Sequence, residues 1–595
     1  MEKFLMGNEA IALGALDAGV GFVSGYPGTP STEVLETVAK YNDGSVYVEW
    51  SVNEKSAMEA AAGAAYAGAR AMVTMKQVGL NVASDPLMSL AYVGVKGGLI
   101  VLVADDPGPI SSQTEQDTRT FAMYSKLPIF DPSSPEEAYA MVEEAFELSE
   151  KYATPVILRA TTRVCHGCAT VSVKDHHEPK PAEGFIKDTQ RWVIFPRTSF
   201  MNHTKIEKRN PVIGKEFCAS PFNGIENAAS GKKGIATHGI NYAYTSEALE
   251  LLDAKAPLLK VGTPFPFPED MAVDFLKSVD EVLCVEELDP VIERALTFIC
   301  GKHHLPTKIY GKLTGHIPAA GENSVDSVEK ALAAYLGIEL PAGAELPAPP
   351  ALPVRPPVLC AGCPHRASFF AVKEAMKGRK AVFSGDIGCY TLGNAQPLDM
   401  TDTCLCMGAG VTMAQGLHRV EPDAVNFAFI GDSTFFHTGI AGVINAVYNE
   451  HDMVLVVLDN STTAMTGHQP HPGTGKTMMG NISDKISIEK VLEALGVASI
   501  RTVDPLDLNA AKAAVKAAAD EKGISAIVFR SPCIAIVKPN KPMVVDTEKC
   551  VGCKACISKL GCPALVLDGK KVKVEPSLCT GCTLCSQVCP VGAIK

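Results

Sequence analysis

Two cysteine runs close the chain: Cys550-x2-Cys553-x2-Cys556-x5-Cys562-Pro563 and Cys579-x2-Cys582-x2-Cys585-x3-Cys589-Pro590. Thiolates bind iron well, and a tight loop carrying three of them at x2-x2 spacing can occupy three corners of a cubane, with a fourth ligand from elsewhere in the chain. Zinc usually takes four ligands as two pairs, and the triplet followed by Cys-Pro occurs twice here. Eight of the 19 cysteines fall in this tail. In a long chain such clustering points to metal ligation rather than disulfides.

A second group suits a hard cation and a phosphate. Gly431-Asp432-Ser433 follows the apolar run Asn426 to Ile430, and Asp459-Asn460 follows the run Met453 to Leu458. The pair resembles the thiamine-diphosphate fingerprint, GDG and then NN after a similar interval. Both halves should sit at the carboxyl edge of a parallel sheet, where such sheets bind ligands. Asp432 offers a carboxylate and Asn460 an amide oxygen to Mg2+. The fingerprint adds the Thr462 carbonyl. Gly431 lets the backbone approach phosphate. Ser433 and Asp459 depart from the pattern, at positions whose side chains do not ligate.

Thiamine chemistry also needs a carboxylic acid beside the aminopyrimidine ring, in a mostly apolar place. Glu54 fits, just ahead of the Ala/Gly-rich stretch Ser56 to Arg70. Glu49 and Glu59 are rivals, and a first-turn Glu can equally serve a helix dipole.

These groups need several α/β units to position them. At 595 residues the chain exceeds a single core. Positions 1–172 alternate helices with short buried strands, among them Leu99 to Ala104 and Pro155 to Arg159, as in a helix-covered parallel sheet. Positions 173–232 read as a connector with partial structure. Positions 233–340 resume α/β alternation. Positions 341–357 hold seven prolines and read as a linker. Positions 358–540 form another α/β unit, with strands at Ala381 to Ser384, Asn426 to Ile430, Met453 to Leu458 and Ala526 to Phe529. Positions 541–595 stand apart and should depend on their clusters to stay folded. The net charge of −12 argues against a broad nucleic-acid footprint. With no apolar run near membrane length and no secretory pattern in Met1 to Gly25, a cytoplasmic, membrane-free protein is expected.

The tail resembles a bacterial-type ferredoxin over its whole length. In two-cluster ferredoxins the fourth ligand crosses over. The resemblance therefore implies two [4Fe-4S] sites, one on Cys550, Cys553, Cys556 and Cys589, the other on Cys579, Cys582, Cys585 and Cys562. The longer interval before Cys562 bears on that cluster's surroundings. Ser24-Gly25-Tyr26-Pro27-Gly28-Thr29-Pro30-Ser31-Thr32-Glu33 and Asn53-Glu54-Lys55 resemble the pyrimidine domain of 2-oxoacid:ferredoxin oxidoreductases. Cys360-Ala361-Gly362-Cys363-Pro364-His365-Arg366 resembles the start of their diphosphate domain. The segments Gly385-Asp386-Ile387-Gly388-Cys389 and Met407-Gly408 resemble its cofactor-facing loops. In order and length the whole chain resembles the alpha subunits of the indolepyruvate ferredoxin oxidoreductase family.

That resemblance implies a pyrimidine domain, a transketolase-C-terminal-like middle domain, a diphosphate domain and a ferredoxin-like tail. It implies thiamine diphosphate, Mg2+ and CoA. It also implies a smaller beta subunit in a heterodimer or α2β2 assembly, and ferredoxin as acceptor. The reaction implied is oxidative decarboxylation of an arylpyruvate to arylacetyl-CoA. Another 2-oxoacid, or non-oxidative decarboxylation with a regulatory tail, is the alternative. Arg119 resembles the family's substrate arginine, and Thr29 is placed to bond the keto oxygen or carboxylate. His365, His437 and His468 are candidate proton handlers. Cys360 and Cys363 read as cofactor-lining thiols or metal ligands. Cys165 and Cys168 form a further C-x-x-C without a nearby second pair.

Overall fold

The computed structural model describes residues 1–340 and 350–595. Its contacts divide the chain into two compact units, Met1–Ala348 and Pro349–Lys595. Of the linker expected at 341–357, positions 341–349 lie outside the described residues, and 350–357 are exposed without regular structure.

The first unit contains a six-stranded sheet, ordered Tyr47–Trp50, Phe22–Gly25, Ala71–Lys76, Leu99–Asp105, Val156–Thr161 and Ile129–Phe130. All its pairings are parallel. Leu99–Asp105 and Val156–Thr161 are buried along their whole length, as parallel strands covered on both faces must be. Helix Glu54–Tyr66 starts at Asn53, whose side chain accepts from the Ser56 amide. It buries Ala57, Ala61 and Ala65 on one stripe, and small residues let the helix lie close on the sheet. Glu2–Met6 pairs antiparallel with Cys168–Ser172 as a separate ribbon.

The first unit also holds a five-stranded sheet: Lys308–Tyr310, Glu281–Val285, Lys233–Thr237, Leu258–Val261 and Asn223–Glu226. The last strand is antiparallel and lies inside the expected connector. That segment also forms the helix Pro196–Phe217. Its polar composition hid both, because the helix faces solvent on most sides and the strand is an edge.

In the second unit five parallel strands run in the order Ala381–Ser384, Val425–Gly431, Met453–Asp459, Ile524–Arg530, Ser499–Val503. The tail adds a hairpin, Leu565–Asp568 with Lys571–Val574. It does not stand apart: Leu560, Leu565, Val574, Leu584 and Ile594 share one continuous core with Phe369, Phe427 and Phe529 of the sheet domain.

Two buried arginines organise the first unit. Arg159 pairs with Asp105 at 2.8 Å and with Asp131 at 3.0 Å, and Asp131 also bonds His238 at 2.6 Å. Arg119 pairs with Asp117 at 2.6 Å and Glu286 at 3.1 Å, and donates to the carbonyls of Glu287 and Asp289. This corrects the sequence reading of Arg119. At 0% exposure its fork is committed to joining the two sheets, not open to a substrate carboxylate. Removing one partner of a buried ion pair strands the others, which costs about 3–5 kcal/mol. Arg119→Ala should lower the stability of the first unit by that amount in denaturant unfolding. A variant with native stability and weakened substrate binding would restore the substrate role.

Candidate functional site

In the first unit the carboxyl edge of the six-stranded sheet gathers the expected residues. The strand Phe22–Gly25 delivers the turn with Thr29, whose carbonyl accepts from Ser111 Oγ at 3.4 Å. Asn8 Nδ2 donates to the Pro30 carbonyl at 2.6 Å and fixes that turn. Glu54 follows Tyr47–Trp50 and is buried at 5% exposure. Its rival Glu59 is exposed and paired with Lys55, and Glu49 is half-buried and bonded to Ser51 and Tyr47. A Cβ at Gly79 would lie 2.5 Å from Glu54 Oε1, so glycine there makes room for the carboxyl. Lys76, at the end of its strand, was not singled out by the sequence. Burial lowers its pKa, and the charges of Asp106 and Glu54 oppose that shift.

In the second unit Asp386, Asp432 and Asn460 each stand one or two residues past a strand end. Asp432 Oδ1 accepts from the Ser433 amide at 2.9 Å and Oδ2 from the Ser461 amide at 2.7 Å. His471 Nε2 lies 3.1 Å from Oδ2, a neighbour that no spacing in the sequence announced. Burial raises the Asp432 pKa, and His471 opposes it. Ser461 adopts φ +60. The turn lets the Thr462 amide reach Asn460 Oδ1 at 3.2 Å. Asn460 Nδ2 meets His365 Nε2 at 3.2 Å. Asp386 takes the Gly408 amide at 2.7 Å and the Tyr390 hydroxyl at 2.8 Å, tying the two expected cofactor loops together. Gly408 has φ +79, and a Cβ there would sit 2.1 Å from Thr438 Oγ1. Gly431 packs against the Tyr390 ring, where a Cβ would lie 2.6 Å from it. The oxygen set of Asp432, Asn460 and the Thr462 carbonyl has the chemistry a hard cation requires, with glycine-lined backbone beside it for a diphosphate.

The histidines differ. His365 is buried, and burial lowers its pKa to about 4, which keeps it neutral. His437 is buried beside Thr438, and His468 is exposed. Cys165 is buried, which raises its pKa, whereas Cys168 is exposed.

The tail thiols border two cavities. Cys562, Cys579, Cys582 and Cys585 line one, and Cys550, Cys553, Cys556 and Cys589 line the other. Among the described residues no three His, Cys, Asp or Glu side chains converge tightly enough for a single metal ion. Four thiols around one space suit a polynuclear iron–sulfur cluster. The first cavity also receives Arg366, whose Nε is buried without a hydrogen-bond partner. An anionic cluster would supply the countercharge. Burial raises the thiol pKa values of Cys389 and Cys533, and the neighbouring thiol of Cys360 adds to both shifts. With Cys363 they make a second gathering of sulfur that spacing alone does not reveal.

A neutral buried His365 has a sign that can be tested. Its folded pKa lies below the ordinary 6.5, so the unfolded chain binds the proton first as pH falls. Stability of the second unit should therefore decline from about pH 6.5 to about pH 4, by roughly 2–3 kcal/mol from this group. His365→Gln should flatten that part of the stability–pH curve, and an unchanged slope would show that His365 does not titrate this way. Asp432→Ala should weaken Mg2+-dependent thiamine diphosphate binding at least tenfold in calorimetry, with both thiol cavities still loaded with iron.

Comparisons with known proteins identify the family. Residues 13–218 match the family described as pyruvate flavodoxin/ferredoxin oxidoreductase, thiamine diphosphate-binding. Residues 386–529 match the thiamine pyrophosphate enzyme C-terminal TPP-binding domain, and residues 572–595 the 4Fe-4S binding domain. The indolepyruvate oxidoreductase subunit IorA of Methanothermobacter thermautotrophicus is 42% identical, covering 100% of this chain and 97% of its own. IorA of Archaeoglobus fulgidus is 41% identical with the same coverage, and that of Pyrococcus horikoshii 41% over 93% of this chain and 90% of its own. A solved 2-oxoglutarate:ferredoxin oxidoreductase from Magnetococcus marinus aligns with 56% of this chain and 65% of its own, at 18% identity and TM-score 0.46. No helix among the described residues is long and apolar enough to cross a membrane. With a thiamine-diphosphate-binding domain, an iron–sulfur domain and full-length identity above 40%, the chain belongs to the IorA family, the alpha subunits of indolepyruvate oxidoreductases.

Proposed function

We propose that the chain oxidises arylpyruvates such as indole-3-pyruvate, with CoA, to the arylacetyl-CoA and CO2, and passes the electrons through two [4Fe-4S] clusters to ferredoxin. The carrying observation is that a hard-cation oxygen set and two thiol-lined cavities share one compact unit, with a continuous core between them. A decarboxylase that only protonates its intermediate has no use for such a neighbour.

When bound, thiamine diphosphate supplies the electron sink for decarboxylation. Asp432, Asn460 and the Thr462 carbonyl are proposed to hold Mg2+, with Gly431 and Ser433 beside the diphosphate. Gly385, Asp386, Gly388, Cys389, Met407 and Gly408 form the loops facing the cofactor. Glu54 is proposed to hold a proton at the aminopyrimidine nitrogen. Thr29 is proposed to bond the keto oxygen or carboxylate. With Arg119 committed elsewhere, Lys76 is the cation at that edge for the substrate carboxylate. His365 is a neutral positioning group for Asn460 rather than a proton carrier at pH 7. A smaller beta subunit is proposed as partner. The domain limits proposed are 1–172, 173–222, 223–340, 358–540 and 541–595, the third moved forward to include its edge strand.

Anaerobic turnover of an arylpyruvate with CoA, ferredoxin and the beta subunit should bleach the clusters and yield acyl-CoA. An aldehyde product would favour the non-oxidative reading, and preference for an aliphatic 2-oxoacid would replace the substrate. Glu54→Gln should cut turnover roughly 100-fold or more with the cluster EPR signals intact. Iron analysis should find about eight atoms per chain for two clusters. About twelve would mean that Cys360, Cys363, Cys389 and Cys533 hold another.

A further inference from the structure

We propose that Arg366 raises the reduction potential of the cluster held by Cys562, Cys579, Cys582 and Cys585. This rests on reading the tail thiols as cluster ligands.

The two cavities differ in what surrounds them. The cavity of Cys550, Cys553, Cys556 and Cys589 is lined by tail residues alone, and its one cation, Lys554, is exposed. The cavity of Cys562, Cys579, Cys582 and Cys585 is inboard: Ala361, Gly362, Cys363 and Arg366 of the sheet domain close one side of it. Contact there is tight. Gly362 has φ +76, and a Cβ on it would lie 1.8 Å from Oγ1 of Thr580, between two of the cluster cysteines.

Arg366 is 3% exposed. Its Nη1 donates to the carbonyls of Leu560 at 2.6 Å and Gly561 at 3.0 Å, the two residues before Cys562. Its Nη2 donates to the Leu359 carbonyl at 2.5 Å. These partners are neutral, and the buried Nε has none. Burial opposes the charge of Arg366, and the thiols of Cys562, Cys363, Cys582 and Cys360 are what favour it.

A guanidinium stays charged in a protein, and a buried charge without an opposite charge is strongly destabilising. A thiolate-ligated cluster in the cavity is that opposite charge. One-electron reduction adds a further negative charge to the cluster. A fixed cation at the cavity wall, with little water to screen it, then favours the reduced state over the oxidised one. Lys554, in solvent, does little of this for the outboard cluster.

Redox titration of the cluster-loaded enzyme, followed by EPR, tests the assignment. In Arg366→Met one cluster's reduced-to-oxidised ratio at fixed potential should fall at least tenfold, which for a one-electron couple is a drop of 59 mV. The other cluster should not move. Arg366→Lys, which keeps the charge and loses the fork, should stay within threefold of wild type. If Arg366→Met fails to retain inboard iron, Arg366→Gln takes its place, with the same drop expected. Unmoved potentials in the neutral variant, or equal shifts of both clusters, would overturn the proposal while leaving the cluster reading intact. A wild-type enzyme without cluster signals would instead remove the reading beneath it.

Discussion

Strands that run parallel within one sheet must all end on the same edge, and the chemistry of this chain follows from that constraint. Backbone groups at a strand's last residue have no further ladder to join, so the loops that leave it are free to turn polar side chains outward. Thr29, Glu54 and Lys76 share one such edge, and Asp386, Asp432, Asn460 and Cys533 share another. Residues far apart in sequence meet because each sits a residue or a few beyond a strand that has to stop there. The fully apolar interiors of Leu99–Asp105 and Met453–Asp459 hold those edges in place.

Charge is handled differently in the two units. In the first, Arg119 and Arg159 are each satisfied by carboxylates within the protein. Such networks carry their own countercharges and fix the joint between two sheets, although Arg159 Nη2 is buried without a hydrogen-bond partner. In the second, Arg366 has only carbonyls, and Asp432 has amides and a histidine. These sites are unfinished electrostatically, one lacking an anion and the other suited to a cation. Unfinished burial is costly, so it is where bound groups are to be sought.

Much of this was legible before the fold. The alternation of buried strands and helices, the strand ends at Gly431 and Asp459, and the two cysteine triplets all carry local periodicity or spacing. What escaped the sequence lacked such a signal. Arg119 follows the polar stretch 111–118 in sequence and has the right chemistry for a carboxylate; only its burial in the first turn of helix Thr118–Ser125, between two sheets, shows that the fork is taken. His471 and Cys533 approach Asp432 and Cys360 from distant loops, a property of tertiary closure alone. The tail's shared core with the neighbouring sheet domain was hidden because cysteine spacing says nothing of which apolar face packs on a partner. The connector's edge strand was hidden by its polar, half-exposed side chains.

The departures from the thiamine fingerprint become intelligible in the same terms. An aspartate in place of the first asparagine would add a negative charge next to a diphosphate. Here Asp459 Oδ2 accepts from Arg530 Nε at 2.7 Å, and Oδ1 accepts from the Ser461 amide at 3.1 Å. The arginine offsets the charge, and the second oxygen secures the turn that also presents Ser461 to Asp432. Ser433 in place of glycine keeps its amide on Asp432 and takes a bond from Thr463 at 3.0 Å, so its side chain points along the loop. Both substitutions keep the geometry that a cation needs while changing what holds it. If Asp432 and Asn460 hold the cation as proposed, the two departures beside them leave their oxygens in place.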